Sequence, residues 1–204
     1  MHIEKNFAEH LISTILEDKF KTKDTINAQL DMKELGIHSG QWMQTDVRTG
    51  KQVKPKASFL LDKQEKRQFC QILNDLKLPS SFSSNLSNIV TLNPPGLHSM
   101  KSHDYHVILE YVLPVLLQHA FPKHRELRRA IQQLSLFFNL LCSKVLIRKD
   151  IQRAKYMFVE ALCVLEKYFL HSFFDISIHL VVHLADEALI CGPTEARWMY
   201  PFER

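Results

Sequence analysis

Two histidines, His179 and His183, form the most suggestive pair for metal chemistry in the sequence. They stand four residues apart in IHLVVHLADEA, a segment with helical periodicity, which places both imidazoles on one face of a helix where a metal ion could bridge them. The metalloprotease pattern requires glutamate directly after the first histidine, and Leu180 stands there instead. Because two ligands do not complete a site, we favour the alternative of two histidines hydrogen-bonded at the edge of an apolar helix.

A His-Asp doublet, His103 and Asp104, lies in SHDYH at residues 102–106. It resembles the doublet of the all-helical metal-dependent phosphohydrolases, but His98 is the nearest upstream histidine and falls in a predicted loop. Helix capping by Ser102 and Asp104 explains the presence of the same residues. We therefore expect no metal site, and keep as the alternative a metal-dependent hydrolase of all-α type. That enzyme would use His103, Asp104, His179 and His183.

Basic residues crowd one stretch of the chain, residues 48–67. Over the whole chain, 26 Lys and Arg stand against 22 Asp and Glu, a net charge of +4, and the two halves share these charges evenly. The basic side chains of the stretch are Arg48, Lys51, Lys54, Lys56, Lys63, Lys66 and Arg67. They could bind DNA phosphates by releasing counterions, although Gly50, Pro55 and the absence of periodicity over the first half favour a solvated loop. No glycine-rich phosphate loop or nucleophile motif accompanies them, so no small-molecule substrate is expected.

The composition is that of a globular protein. Of 204 residues, 46% are hydrophobic and 24% charged, and the four cysteines include no CxxC pair, which favours reduced thiols without a redox or zinc motif. Glu4, Lys5 and Glu9 lie within the first ten residues, where a signal peptide needs an apolar core. The longest uncharged apolar run, Tyr111–Pro122, is too short to cross a bilayer. These features predict an intracellular, soluble protein that is neither secreted nor membrane-spanning.

Only five glycines occur in the chain, which favours long helices. Periodicity predicts helices over about 4–18, 25–35, 62–78, 102–120 with a break at Pro114, 124–146, 150–170 and 174–190. Asp24, Asp62 and Asp150 are the expected N-caps of three of them, with Glu65 completing a capping box. The predicted fold class is all-α, with an antiparallel helical bundle in the C-terminal half and a short helical segment with loops in the N-terminal half.

Several segments resemble one family. KSHDYHVILEYVLPVLL (101–117), LSLFFNLLCSKVL (134–146) and SFFDISIHLVVHLADEALICGPTEARWMYPFER (172–204) are similar to the plant domain of unknown function that follows the transposase core in CACTA (En/Spm-type) transposon proteins. MHIEKN (1–6) and KTKDTINAQLDM (21–32) resemble the end of the RNase-H-like transposase domain of the same proteins. The resemblance divides the chain into a transposase remnant (1–35), a basic and polar linker (36–100) with one helix at 62–78, and a helical accessory domain (101–204).

The resemblance also bounds the expected function. Family transposases cut DNA with three acidic residues that hold two divalent metal ions such as Mg²⁺, and Glu4 is the only candidate here for one of those acids. Both ends of the chain look cut, the second within a motif that holds Trp198, Met199, Tyr200 and Phe202. Since the other acids would precede Met1, we expect Glu4 to act as an acidic first-turn residue of a helix.

We expect a non-catalytic, nuclear protein without cofactors. At most it would serve transposition as an accessory module that binds DNA through residues 48–67 or pairs with other transposase chains.

Overall fold

The computed structural model describes residues 2–82 and 85–198. Its helices are α1 (His2–Ile15), α2 (Ile26–Leu35), α3 (Lys63–Asp75), α4 (Ser102–Val107), α5 (Leu113–Leu116), α6 (Arg125–Leu141), α7 (Arg148–Tyr168) and α8 (Ile176–Cys191). Two hairpins carry the short strands β1 (Gln44–Thr45), β2 (Gln52–Val53), β3 (Val90–Leu92) and β4 (Pro95–Leu97). The expectation of a mostly helical chain is confirmed, whereas these two small antiparallel sheets were not expected.

The C-terminal helices pack in sequence order. Helix α6 lies along α7, α7 packs against α8, and the connections 142–147 and 169–175 are short. The faces expected to be apolar are buried along α6 and α7, because Leu, Ile and Phe recur there every three or four residues. The antiparallel order of these helices stays a prediction from the short connections.

Helix α1 packs into the same core. Its predicted apolar face is buried, and the Phe7 ring lies 5.1 Å from that of Phe138 in α6 and 6.2 Å from that of Phe158 in α7. Lys23 Nζ, eight residues beyond α1, lies 2.7 Å from Asp175 Oδ2, the N-cap of α8. One continuous hydrophobic cluster therefore runs from Phe7 to Ala188 and includes residues of all three segments that the sequence distinguishes.

Helix ends follow capping chemistry, with two departures from the sequence prediction. Asp62 and Glu65 form the expected capping box of α3, and Gly36 ends α2 in the left-handed conformation, φ 71°. Thr25 caps α2 in place of Asp24, because the Asp24 carboxylate turns inward and accepts a hydrogen bond from Gln29. Asp150 is not a cap, because α7 begins two residues earlier and places it inside the first turn.

The break expected at Pro114 takes the form of a π-helical segment, Ile108–Val112, between α4 and α5. Proline has no N–H to donate, and its ring crowds the carbonyl four residues back. The backbone before it therefore forms a wider, π-helical turn, in which the Leu113 N–H donates to the Ile108 carbonyl. The hydroxyl of Ser135 in α6 donates to the carbonyl of Leu109 within this segment. The widened turn also carries Glu110, which is buried.

None of the helices in the described part of the chain is both long and apolar enough to span a membrane.

Candidate functional site

Four polar side chains meet in the interior where α1, α4 and α6 converge. Glu4 comes from the first turn of α1, His106 from the last turn of α4, Glu110 from the π-helical segment, and Cys142 directly follows α6. One donor atom of each lies within 4.8 Å of the donor atoms of the others. We call these four residues the buried cluster.

A single imidazole nitrogen faces both carboxylates of the buried cluster. His106 Nδ1 lies 2.7 Å from Glu4 Oε1 and 3.1 Å from Glu110 Oε1. Because Nδ1 carries at most one hydrogen, it can donate to only one of them, and the shorter contact belongs to Glu4. Neither oxygen of Glu110, whose side chain is 0% exposed, has a partner with hydrogen-bond geometry among the described residues. Buried carboxylates are normally satisfied, so this one marks an unusual site.

The protonation of the buried cluster follows from its burial and its charges. Burial lowers the pKa of His106, but its close contacts with the negatively charged Glu110 and Glu4 carboxylates outweigh that effect and raise the pKa to about 10. Burial, together with the negative charge of Glu4, raises the pKa of Glu110. Burial and the same two carboxylates raise the pKa of the Cys142 thiol. The buried cluster therefore holds a protonated imidazole between acidic groups and next to a neutral thiol.

The donor atoms of the buried cluster do not suit the Mg²⁺ ions that the transposase resemblance implies. Mg²⁺ takes oxygen ligands in octahedral geometry and usually keeps several waters. Here a nitrogen and a sulfur stand among the four donors, and the side chains of Glu4, His106 and Glu110 are at most 8% exposed. A DNA phosphodiester could not reach a metal ion held there.

A second feature is a cleft of about 690 Å³ beside the start of α3, here called the basic cleft. Four lysines line it: Lys54, Lys56, Lys63 and Lys66. Glu17 and Asp62 are the acidic residues of its wall. The basic cleft thus gathers four of the seven residues that the sequence suggested for DNA contact.

The lysines of the basic cleft fall into two kinds. Lys54 Nζ lies 3.0 Å from Glu17 and 2.9 Å from the buried carboxylate of Asp24, and Lys66 Nζ lies 3.6 Å from Glu17. Burial raises the pKa of Glu17, but both lysines outweigh it and the net shift is downward. Lys56 and Lys63 are exposed to solvent. The paired lysines build the wall, and the exposed ones remain available to a ligand.

The other three basic candidates lie outside the lining of the basic cleft. Arg48 and Lys51 are exposed on the turn between β1 and β2, where Asp46 accepts a hydrogen bond from the Arg48 N–H. Arg67 is exposed on α3. They add positive charge without lining the same cavity.

The four residues of the hydrolase alternative do not form one set. His179 and His183 lie together on the exposed face of α8, with 3.2 Å between their Nε2 atoms. His103 Nε2 lies 2.6 Å from the Phe82 carbonyl, and the Asp104 carboxylate accepts the Lys101 N–H as a cap of α4. Within residues 2–82 and 85–198, the buried cluster is the one group of three or more potential metal ligands, and it includes none of these four.

Sequence reasoning singled out Glu4 but missed its three neighbours. His106 and Glu110 stand four apart, the same spacing that drew attention to His179 and His183, so this half of the cluster had a local signal. Cys142 had none, because a cysteine in an apolar helix usually acts as a small hydrophobe. The contact of Glu4 with His106 spans 102 positions and depends on how α1 packs.

Comparison with known proteins gives one match. Residues 141–204 match the model of a family described as "Domain of unknown function (DUF4218)", and this match covers less than half of the chain. No curated protein and no solved structure matches. Cys142 and helices α7 and α8 lie inside the matched region, whereas Glu4, His106, Glu110 and the basic cleft lie outside it. The C-terminal part of the chain thus carries a domain of unknown function, as the resemblance of residues 172–204 implies, and the transposase resemblance of residues 1–6 and 21–32 stays a prediction.

Proposed function

We propose that this chain is a non-catalytic accessory module, derived from a CACTA (En/Spm-type) transposase, that contacts DNA phosphates in the nucleus through its basic cleft. The observation that carries the proposal is that four lysines line one cleft. Glu17 and Asp24, which are distant from Lys54 in sequence, form ion pairs with it and hold it in place. Paired lysines fix the shape of the wall. Lys56 and Lys63 then present their charge to a phosphate backbone.

Burial of the candidate acid supports the absence of catalysis. Two-metal DNA cleavage needs carboxylates that can reach the scissile phosphate. Glu4 is the one residue that the resemblance offers for that role, and its side chain is 4% exposed and hydrogen-bonded to His106. A carboxylate held in this way positions helices instead of substrate.

The test measures DNA affinity as a function of salt. We expect the K56E/K63E variant to bind a duplex at least about tenfold more weakly than the unmodified chain near 0.1 M salt, and the slope of log K against log salt to become shallower by about 2, because two phosphate contacts are lost. Fluorescence anisotropy with a labelled duplex at several salt concentrations checks both numbers.

A matched control separates the cleft from net charge. The variant R148E/K149E changes two exposed basic residues at the start of α7 and lowers the formal net charge from +4 to 0, as K56E/K63E does, since each reversal removes two positive charges. This control variant should lose less DNA affinity than K56E/K63E and should keep the salt slope of the unmodified chain. Equal losses in the two variants would refute a specific role for the basic cleft.

A second candidate function is pairing with another transposase chain. Large apolar side chains stand exposed on one stripe of α8, with Ile176, Leu180 and Ile190 at helical spacing, and on α7, with Tyr156 and Val159. If K56E/K63E binds DNA like the control while the chain self-associates in sedimentation, the pairing function replaces the DNA-binding one.

A further inference from the structure

We infer that the buried cluster of Glu4, His106, Glu110 and Cys142 is a structural Zn²⁺ site. The inference is independent of the proposed DNA binding, because it concerns other residues on other elements. It assigns a cation to the place where α1 meets the C-terminal helices.

The donor set selects zinc by its chemistry. A nitrogen from imidazole, a sulfur from cysteine and oxygens from two carboxylates are all common zinc ligands, and four protein ligands suit its tetrahedral geometry. Mg²⁺ and Ca²⁺ prefer oxygen alone, and a thiolate selects against them. Among divalent ions that cells hold in quantity, zinc fits this mixture best.

The spacing of the donors is close to that of a zinc site. Bonds of about 2.0–2.3 Å set neighbouring ligand atoms about 3.3–3.8 Å apart in a tetrahedral site. The four donors here lie within 4.8 Å of one another, and the shorter contacts of His106 Nδ1, 2.7 Å to Glu4 and 3.1 Å to Glu110, would have to lengthen by less than about 1 Å on metal binding.

The Glu110 carboxylate gives a second, separate reason. Its side chain is fully buried, and neither oxygen has a partner with hydrogen-bond geometry among the described residues; Oε1 has the 3.1 Å ion pair with His106 Nδ1, which is an incomplete set of contacts for a carboxylate in the interior. A cation bound beside Glu110 would supply the ligand that its carboxylate needs. Glu110 lies in the π-helical segment, four residues after His106.

Zn²⁺ binding displaces the protons of two ligands, the imidazole and the thiol. Zn²⁺ coordinates two carboxylates, the imidazole nitrogen after it releases its proton, and the thiolate after the thiol releases its proton. With four protein ligands and little exposure the site has no open position for substrate, so its role is to join α1, α4, the π-helical segment and the end of α6.

Zinc titration of the full 204-residue chain, freed of metal by a chelator, tests the inference. We expect one Zn²⁺ per chain and a rise in thermal midpoint on binding. Co²⁺ in place of zinc should give a sulfur-to-cobalt charge-transfer band and the visible bands of tetrahedral cobalt, which report the Cys142 thiolate directly.

Cysteine variants supply the matched controls. C142S should abolish the charge-transfer band and lower zinc affinity by at least about tenfold, whereas C163S and C191S, which change exposed cysteines, should leave both unchanged. The band in the unmodified chain remains decisive even if C142S fails to fold. H179A/H183A removes the exposed histidine pair and should keep the stoichiometry of one.

Three results would overturn the inference. The first is less than stoichiometric zinc at saturating metal. The second is a charge-transfer band that survives in C142S. The third is a loss of zinc in H179A/H183A, which would show adventitious binding by the surface pair.

Discussion

Replacing Phe7 by alanine should destabilise the chain by about 3–5 kcal/mol, the usual loss when a buried phenylalanine is truncated. Phe7 is fully buried in α1, and its ring packs on Phe138 and Phe158 of the C-terminal helices. The surrounding rings belong to two long helices and cannot collapse into the gap, so the cavity persists. Urea unfolding followed by circular dichroism at the helical band measures the change.

Phe20 provides the matched control. It follows α1, and its side chain is 96% exposed, so F20A should change the free energy of unfolding by less than about 0.5 kcal/mol. If F7A changed the free energy of unfolding as little as F20A, α1 would contribute little to the core. That result would contradict the packing of α1 against α6 and α7.

Replacing Lys54 by methionine should lower the free energy of unfolding by about 2–4 kcal/mol, because it leaves the Asp24 carboxylate buried without its cation. The Asp24 side chain is 0% exposed and lies 2.9 Å from Lys54 Nζ, and the methionine keeps most of the apolar volume of the lysine stem. The loss therefore reports the charge and not the packing. Chemical denaturation at neutral pH measures it.

Lys56, two residues away and exposed, gives the comparison. K56M should change the free energy of unfolding by less than about 0.5 kcal/mol and weaken DNA binding, whereas K54M should lower the free energy of unfolding. The reverse pattern would mean that the two kinds of lysine in the basic cleft have been assigned the wrong roles.

The sequence predicted the helices well because their apolar faces and caps are local. The faces of α1 and α6 and the capping box at Asp62 and Glu65 each depend on residues within a turn or two of one another. Ile72 belongs to the apolar residues of α3 but is 36% exposed, because that helix buries a narrow stripe through Phe69 and Leu73. The same helix ends at Asp75, three residues before the predicted end at 78.

The buried cluster could not be predicted in the same way. Its members come from four elements, and the contact of Glu4 with His106 joins residues 102 positions apart. Asp24 illustrates the same limit, because its long-range ion pair with Lys54 removes it from the capping role that its local position suggests. Contacts between distant segments decide which polar residues lie inside, and one sequence contains little information on them.

The central structural claim is that residues from α1 to α8 unfold together around one core, and the two tryptophans offer the most direct test. Trp42 packs against the core from the N-terminal half, and Trp198 lies 5.0 Å from the His106 ring. We expect urea unfolding of the single-tryptophan variants W198F and W42F, each followed by fluorescence, to give the same midpoint and slope as the loss of helical signal. A Trp42 transition at clearly lower urea than that of Trp198 would contradict the claim, because the N-terminal half would then unfold on its own.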